Sequence, residues 1–506
     1  MVAEDRAPEP ADEWLASVTM PEAAIPDEHM SGFESFMWDL ERDPQLSSAF
    51  ANLTLFDRAP DRRAFRSRME RAVGAVPRLG QRVVTSALPW ELPRWVEDPD
   101  VDLDHHLRWV DLGGDGTRRD LYDLVATLSR QPLDRERPLW EFITIEGLQD
   151  GRAAMLQRLH HTITDGEGGI ILSVEFLDFE REPAHPGRRR SRRSAEGQVA
   201  DSSSTDTGTG ALAADAPTVS GAWWSRAVGS LGSAATSAAS VASSAASATA
   251  SLPGRAGDLA GVAQSTMRQV RVGHRRSPLW TDRSLGRWFG TTTLSLEDVV
   301  ASARVLGGSV NDLFLAGAAD AAGAVHRQHE LDVPELRVSM PISTRHDRSA
   351  GGNAFSPTQM LVPTGPMDPA DRVAAVHEIV ASVRSERAID ALEGTANAAA
   401  MLPPALIVRT GQHLAHSVDF VCSNVRAAPF DLFIAGAFMQ SNYPLGPLAG
   451  TAFNVTTMSY RGWLFLGLTV DIAAVPDPVG LLEQLDRSYD ALLAAAGLPR
   501  RAPEVW

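Results

Sequence analysis

The chain has 506 residues, 44% of them hydrophobic, with a formal net charge of -17 and one cysteine, Cys422. That length exceeds what a single hydrophobic core ordinarily holds, so two domains are expected. The acidic balance excludes the concentrated basic face that nucleic-acid phosphates require. The lone thiol excludes an internal disulfide framework and suits a reducing cytosol.

In chain order, the first thirty residues are acidic, contain Pro8, Pro10, Pro21 and Pro26, and lack the basic start and apolar core of a signal peptide. Nowhere is there an apolar window of about 18 uninterrupted residues, so no membrane-spanning helix is expected. Residues 31–40 and 62–76 predict helices, with a strand at 52–56 between them. Residues 121–130 predict an amphipathic helix, stopped ahead of Pro132 and Pro138. A strand at 141–147 should then pair with a mostly buried one at 153–159. His105-His106 forms a histidine doublet with no Asp-Gly after it and reads as structural.

Residues 186–285 differ in kind. Arg188-Arg189-Arg190-Ser191-Arg192-Arg193 is followed by a Ser/Thr/Asp/Gly stretch, then Trp223-Trp224 and an Ala/Ser-rich tract at 234–251. Such a composition buries too little apolar surface to offset its chain entropy. Beyond it, a strand at 291–294, a Ser295-capped helix at 295–306, and a helix starting near Asn311-Asp312 are predicted. Buried strands follow at 337–342, 453–457 and 463–471, and the last amphipathic helix is at 478–496.

Residues 160–166 read His160-His161-Thr162-Ile163-Thr164-Asp165-Gly166, an HHxxxDG box at the end of a predicted strand. Paired imidazoles supply a group that can carry or take a proton near neutral pH, as a general base must. All 47 basic residues are arginine, which excludes lysine Schiff bases and Walker A or kinase-type lysines. Neither a GxSxG elbow nor an HExxH zinc site is present. His326/His329 and His413/His416 have helical spacing but no third ligand, and read as solvated helix faces with no metal.

The heptad resembles the active-site motif of the CoA-dependent acyltransferases, which include chloramphenicol acetyltransferase, condensation domains and the wax ester synthase/diacylglycerol acyltransferase family. Four further blocks resemble the last of these. Pro132-Leu133-Asp134-Arg135-Glu136-Arg137-Pro138-Leu139-Trp140 is similar to its PLDRxRPLW block, and Val310-Asn311-Asp312-Leu313 to its ND box. Met340-Pro341-Ile342-Ser343-Thr344-Arg345 is similar to its VPVSxR segment. Gly446-Pro447, Phe453-Asn454-Val455 and Ser459-Tyr460-Arg461-Gly462 are similar to its C-terminal signature. The blocks come in family order, and the chain is identified as a member.

The resemblance implies an α/β, two-domain, chloramphenicol-acetyltransferase-like (condensation-domain-like) fold with a long crossover linker. Residues 1–185 would be the domain carrying the heptad, 186–285 the linker, and 286–506 the second domain. It implies an O-acyltransferase using long-chain acyl-CoA as co-substrate, with no bound cofactor or metal. The acceptor would be diacylglycerol, giving triacylglycerol, or a fatty alcohol, giving a wax ester. Two rivals stand beside it: a condensation-type enzyme with carrier-bound donors, and a catalytically silent lipid-binding homologue. The ND box and Gly446-Pro447 count against the first, and the intact heptad against the second.

By resemblance His161 is the base and His160 shapes the pocket. Asp165 would be an ion-paired structural residue with Arg345 as its candidate partner, and Gly166 a backbone position that a side chain would block. Asn311 has two readings, an amide donor to the developing oxyanion or a plain helix N-cap. Asp312 reads as a first-turn charge favoured by the helix dipole. Pro138, Leu139 and Trp140 would pack near the site as structural support. Residues 186–285 read either as a solvated linker or as a peripheral membrane or lipid-droplet contact of a cytoplasmic protein. The Ala/Ser tract departs from the leucine-rich helix usual in the family.

Overall fold

In the computed structural model, residues 28–86, 91–164, 169, 172–183, 275–343, 355–385, 404–501 and 503 are described. They lie in one compact unit formed by Met1–Gly187 and Gln264–Trp506. Asp165, Gly166, Arg345 and most of the predicted linker fall outside the described residues.

The first half runs α1 (Gly32–Leu40), β1 (Ala49–Phe56), α2 (Arg62–Ala75), β2 (Gln81–Val84), β3 (Arg94–Glu97), α3 (Leu103–His106), β4 (Leu107–Asp111), α4 (Arg118–Leu128), β5 (Trp140–Glu146) and β6 (Ala153–His160). The second runs β7 (Arg287–Ser295), α5 (Leu296–Val305), α6 (Val310–Gln328), β8 (Glu335–Ser343), β9 (Phe355–Pro363), α7 (Pro369–Ser385) and α8 (Pro404–Ala415). It continues with β10 (Phe420–Arg426), β11 (Phe433–Ile434), β12 (Ala437–Leu445), β13 (Phe453–Tyr460), β14 (Trp463–Asp471) and α9 (Pro478–Ala495).

Short polar signals set the helix starts. Ser31 and Glu34 make a reciprocal capping box on α1, and Ser309 and Asp312 make one on α6. Helix α4 begins at Arg118, ahead of the expected 121, because Thr117 and Asp120 form a third such box. Ser309 therefore caps α6, which removes the plain N-cap reading of Asn311. Asp312 is more than a first-turn charge. It is buried, accepts from the Ser309 backbone, and meets His377 Nδ1 at 2.8 Å.

Two six-stranded mixed sheets result, with a separate β2–β3 ribbon. The first has the order β11-β12-β1-β6-β5-β4, and the second β7-β14-β13-β10-β8-β9. As expected, β5 and β6 pair antiparallel, with Trp140 opposite Leu159. Strand β6 is buried at every position, as its run of apolar residues requires. The sheets do not follow chain order. Strand β12, from the second half, pairs antiparallel with β1, placing Leu445 opposite Ala51 and Tyr443 opposite Leu53. The same strand packs on β13 and β14, so it stitches one sheet to the other.

That crossing is tight. A Cβ on Gly467 of β14 would stand 1.9 Å from the Pro444 carbonyl oxygen of β12. Backbone, unlike a flexible side-chain tip, cannot step aside cheaply. Gly467→Ala should therefore destabilise the protein by about 1–3 kcal/mol, the usual range for overpacking. A chemical-denaturation midpoint equal to that of the unmodified protein would refute this.

Helices α5, α6, α7 and α9 cover one face of the second sheet, whose core includes Leu315, Val455, Leu466 and Tyr489. His326 of α6 corrects the expectation of a solvated face. It is fully buried, with Nδ1 on the Ala322 carbonyl at 2.8 Å and Nε2 against Ser277 Oγ at 2.8 Å. His413 of α8 and His416 just after it are exposed, as expected, and no metal-ligand cluster occurs among the described residues. Cys422 is a buried free thiol whose pKa burial raises. No single described helix is long and apolar enough to cross a membrane.

Candidate active site

Strand β6 delivers its last residue, His160, into a closed polar nest. The ring is 3% exposed. Its Nδ1 receives the Thr162 backbone N–H at 3.1 Å and lies 2.8 Å from Thr162 Oγ1. Because a backbone N–H can only donate, Nδ1 accepts, and the ring proton resides on Nε2. Nε2 then donates to Glu41 Oε1 at 3.0 Å. Both nitrogens of His160 are committed, so it cannot also serve as a base.

Glu41 follows α1 directly, and the same oxygen accepts from Ser47 Oγ at 2.8 Å and Ser48 N–H at 2.6 Å. Burial alone would raise this carboxyl. The hydrogen bond and electrostatic attraction of His160, with the Ser47 and Ser48 bonds, outweigh that and hold its pKa at about 2. Glu41 is thus a fixed anion that orients His160, and it was missed in the sequence. Nothing in local spacing ties it to a histidine 119 positions away.

His161 is placed differently. Its backbone N–H reaches the Ser48 carbonyl at 3.3 Å, just beyond the end of the β1–β6 ladder. The ring is half-buried and lies on Phe50 of β1, with centroids 4.5 Å apart and planes tilted by 36°. Phe50 in turn lines a small cavity of about 20 Å³ where the sheets meet, shared with Arg158, Arg287, Gly446, Pro447 and Thr469. So of the two histidines, one is locked into the first sheet and the other rests on a residue that lines the cavity between the sheets.

Support comes from the block before β5. The Leu139 carbonyl accepts the His160 N–H at 3.1 Å. Trp140 is buried, donates Nε1 to the Leu79 carbonyl at 2.9 Å, and stacks on His106 with centroids 4.3 Å apart. His106 is fully buried with Nδ1 on the Trp140 carbonyl at 2.6 Å, in keeping with a structural doublet. On β1 and β12, Asn52 Nδ2 and Thr54 Oγ1 both donate to Asn442 Oδ1, at 2.6 and 2.9 Å. This polar cluster continues the face of β1 that carries Phe50.

No described contact brings Asn311 to the histidines. Its side-chain carbonyl accepts from Asn424 Nδ2. Asn424 alternates with core residue Cys422 along β10, so this pair sits on the helix-covered face of the second sheet. Asn454 and Thr456 of β13 lie on the opposite face, against Gly446.

Residues 30–314 match the wax ester synthase/diacylglycerol acyltransferase catalytic domain, and residues 351–493 match the WS/DGAT C-terminal domain. A Mycobacterium tuberculosis protein described as a candidate diacylglycerol O-acyltransferase is 34% identical, over 92% of this chain and 91% of its own. A second such protein from that organism is 32% identical over 80% and 85%. Among solved structures, the wax ester synthase/diacylglycerol acyltransferase from Marinobacter aquaeolei VT8 superposes with TM-score 0.60 at 20% identity, covering 93% of this chain and 100% of that one. The starter condensation domain of rhizomide synthetase, in complex with C8-CoA and Leu-SNAC, gives TM-score 0.54 at 14% identity, covering 96% of both chains. The fold is therefore the mixed α/β fold shared by these proteins, as expected.

Proposed function

We propose, from the premise that this chain belongs to the wax ester synthase/diacylglycerol acyltransferase family and is an acyltransferase, that it moves a long-chain acyl group from CoA to diacylglycerol, with His161 as general base. The observation that carries this reading is the division of labour in the heptad. Glu41 and Thr162 occupy both nitrogens of His160, while the His161 ring lies half-buried on Phe50 beside the junction of the sheets. The relatives described as candidate diacylglycerol acyltransferases favour that acceptor over a fatty alcohol, for which a wax ester would form.

The chemistry is direct transfer within a ternary complex. As the acceptor oxygen forms its bond to the thioester carbon, His161 takes the hydroxyl proton and the carbonyl electron pair moves onto oxygen. Return of that pair breaks the C–S bond, and His161 passes its proton to the departing thiolate. No residue is acylated, and no cofactor or metal is required. Asp165 and Arg345, which lie outside the described residues, are assigned a structural pairing in this scheme, and Gly166 a backbone role. Asn311 as an oxyanion donor would need its free amide edge to reach around the end of the second sheet. Peripheral membrane or lipid-droplet contact by residues 186–285 would bring a cytoplasmic enzyme to its acceptor.

The test is purified protein with labelled long-chain acyl-CoA and either diacylglycerol or hexadecanol. Triacylglycerol formation with CoA release is expected, exceeding wax ester formation. Absence of both products across several acyl lengths would reject the reading. A carrier-bound acyl donor outperforming the CoA thioester would replace it with condensation-type chemistry.

A further inference from the structure

The cavity beside Phe50 holds one charged group that no described residue binds directly. Two arginines line it. Arg158 is buried and fully engaged, with Glu141 Oε2 at 2.5 Å and the Gln131 carbonyl. Arg287, at the start of β7, is different. Among the described residues its guanidinium makes no ion pair and no hydrogen bond, although carboxylates stand nearby. Both of those carboxylates are committed elsewhere. Asp471, opposite Arg287 in the strand register, accepts from Ser284 N–H at 2.7 Å, Ser284 Oγ at 2.7 Å and Ala473 N–H at 2.9 Å. Glu41 is held by His160, Ser47 and Ser48. They set a favourable field for the cation without consuming its donors.

A second group in the same wall is also unsatisfied. Thr469 of β14 is 4% exposed, and its hydroxyl has no hydrogen-bond partner. A buried polar atom without a partner costs about 1–3 kcal/mol, and this one stands beside a half-buried guanidinium that no described residue binds, so the cavity suits a polar occupant. In the β7–β14 register Thr469 lies two residues from Asp471, which puts its side chain on the same face as that of Arg287. The opposite wall is held close. A Cβ on Gly446 would fall within 2.4–2.6 Å of the Asn454 and Thr456 side chains, so the β12 backbone can approach only because residue 446 is glycine.

The cavity is small, about 20 Å³, with room for a group the size of an oxygen atom. Resting on the acyl-transfer reading above, we propose that Arg287 and Thr469 form the oxyanion site of this enzyme, receiving the thioester carbonyl oxygen as it becomes negative. Phe50 links the two parts of the site, since it touches the His161 ring and also lines the cavity that holds both donors. The guanidinium supplies an always-charged donor of the kind that stabilises a developing anion.

Steady-state kinetics of Arg287→Met, Arg287→Ala and Thr469→Val test this with the full-length enzyme. Loss of an oxyanion donor should lower kcat about 10²- to 10³-fold in the arginine variants, with KM for acyl-CoA little changed. Thr469→Val, close to isosteric, should lower kcat about tenfold, the worth of one neutral hydrogen bond. Added guanidinium ion should restore part of the rate to Arg287→Ala, an effect that a purely structural arginine would not show. Should the arginine variants fail to fold, Thr469→Val alone carries the test. A higher KM with kcat preserved, or unchanged kcat in the folded variants, overturns the proposal. An inactive unmodified enzyme instead defeats the parent reading, so the two failures are distinguishable.

Discussion

His161→Ala should lower acyl transfer about 10²- to 10⁴-fold, the range for losing a positioned general base, while the protein stays folded. The ring is half-buried and rests on one face of Phe50, so its removal leaves little unfilled core. His160→Ala should behave in the opposite sense. That ring is enclosed, and deleting it strips Glu41 and Thr162 of their shared partner, so stability falls along with activity. Circular dichroism melts and initial rates on both variants separate the two outcomes. Full turnover in a folded His161→Ala would remove the base from the mechanism.

Glu41→Gln should destabilise the protein by roughly 3 kcal/mol at neutral pH. The figure comes from a carboxyl held at about 2 in place of 4.5, on a side chain 12% exposed and so little screened by solvent. Because the folded pKa lies below the unfolded one, the contribution is complete above the unfolded value and disappears as pH falls from 4.5 toward about 2. The two proteins should therefore converge in stability in acid and separate as pH rises. Urea midpoints measured at neutral pH and at about pH 3 give the comparison. A constant gap at both would show that the loss is one of packing and not of charge.

Both effects depend on contacts of unequal visibility in the sequence. The heptad was legible because its histidines are adjacent and end a buried apolar run. Strand β14 was read at its observed bounds from the alternation of Leu464, Leu466 and Leu468, and α1, expected at 31–40, is observed at Gly32–Leu40. Strand β12 was not read at all. Its Gln440, Ser441 and Asn442 interrupt any apolar alternation, and Pro444 argues against a central strand. Those polar residues belong there because this strand borders the junction as well as the core. A division of the chain at its low-complexity stretch follows composition, which carries no record that β11 and β12 cross into the first sheet. Glu41, Phe50, Arg287 and Thr469 likewise become site residues only when strands far apart in sequence are paired. Local pattern reports what a segment can bury, and the partners around the histidines are chosen by tertiary closure.

The pairing of β1 with β12 also bears on how the protein is made. Asn52 and Asn442 are separated by 390 positions. At ordinary ribosomal speed, that interval corresponds to roughly 20–80 s of synthesis. Throughout it, one edge of β1 emerges from the ribosome with no strand to receive its amide and carbonyl groups, and such an edge invites pairing with other chains. Nascent copies should accordingly depend on chaperones until β12 appears. Chains truncated before residue 437 should accumulate as insoluble protein even though the histidines are all present.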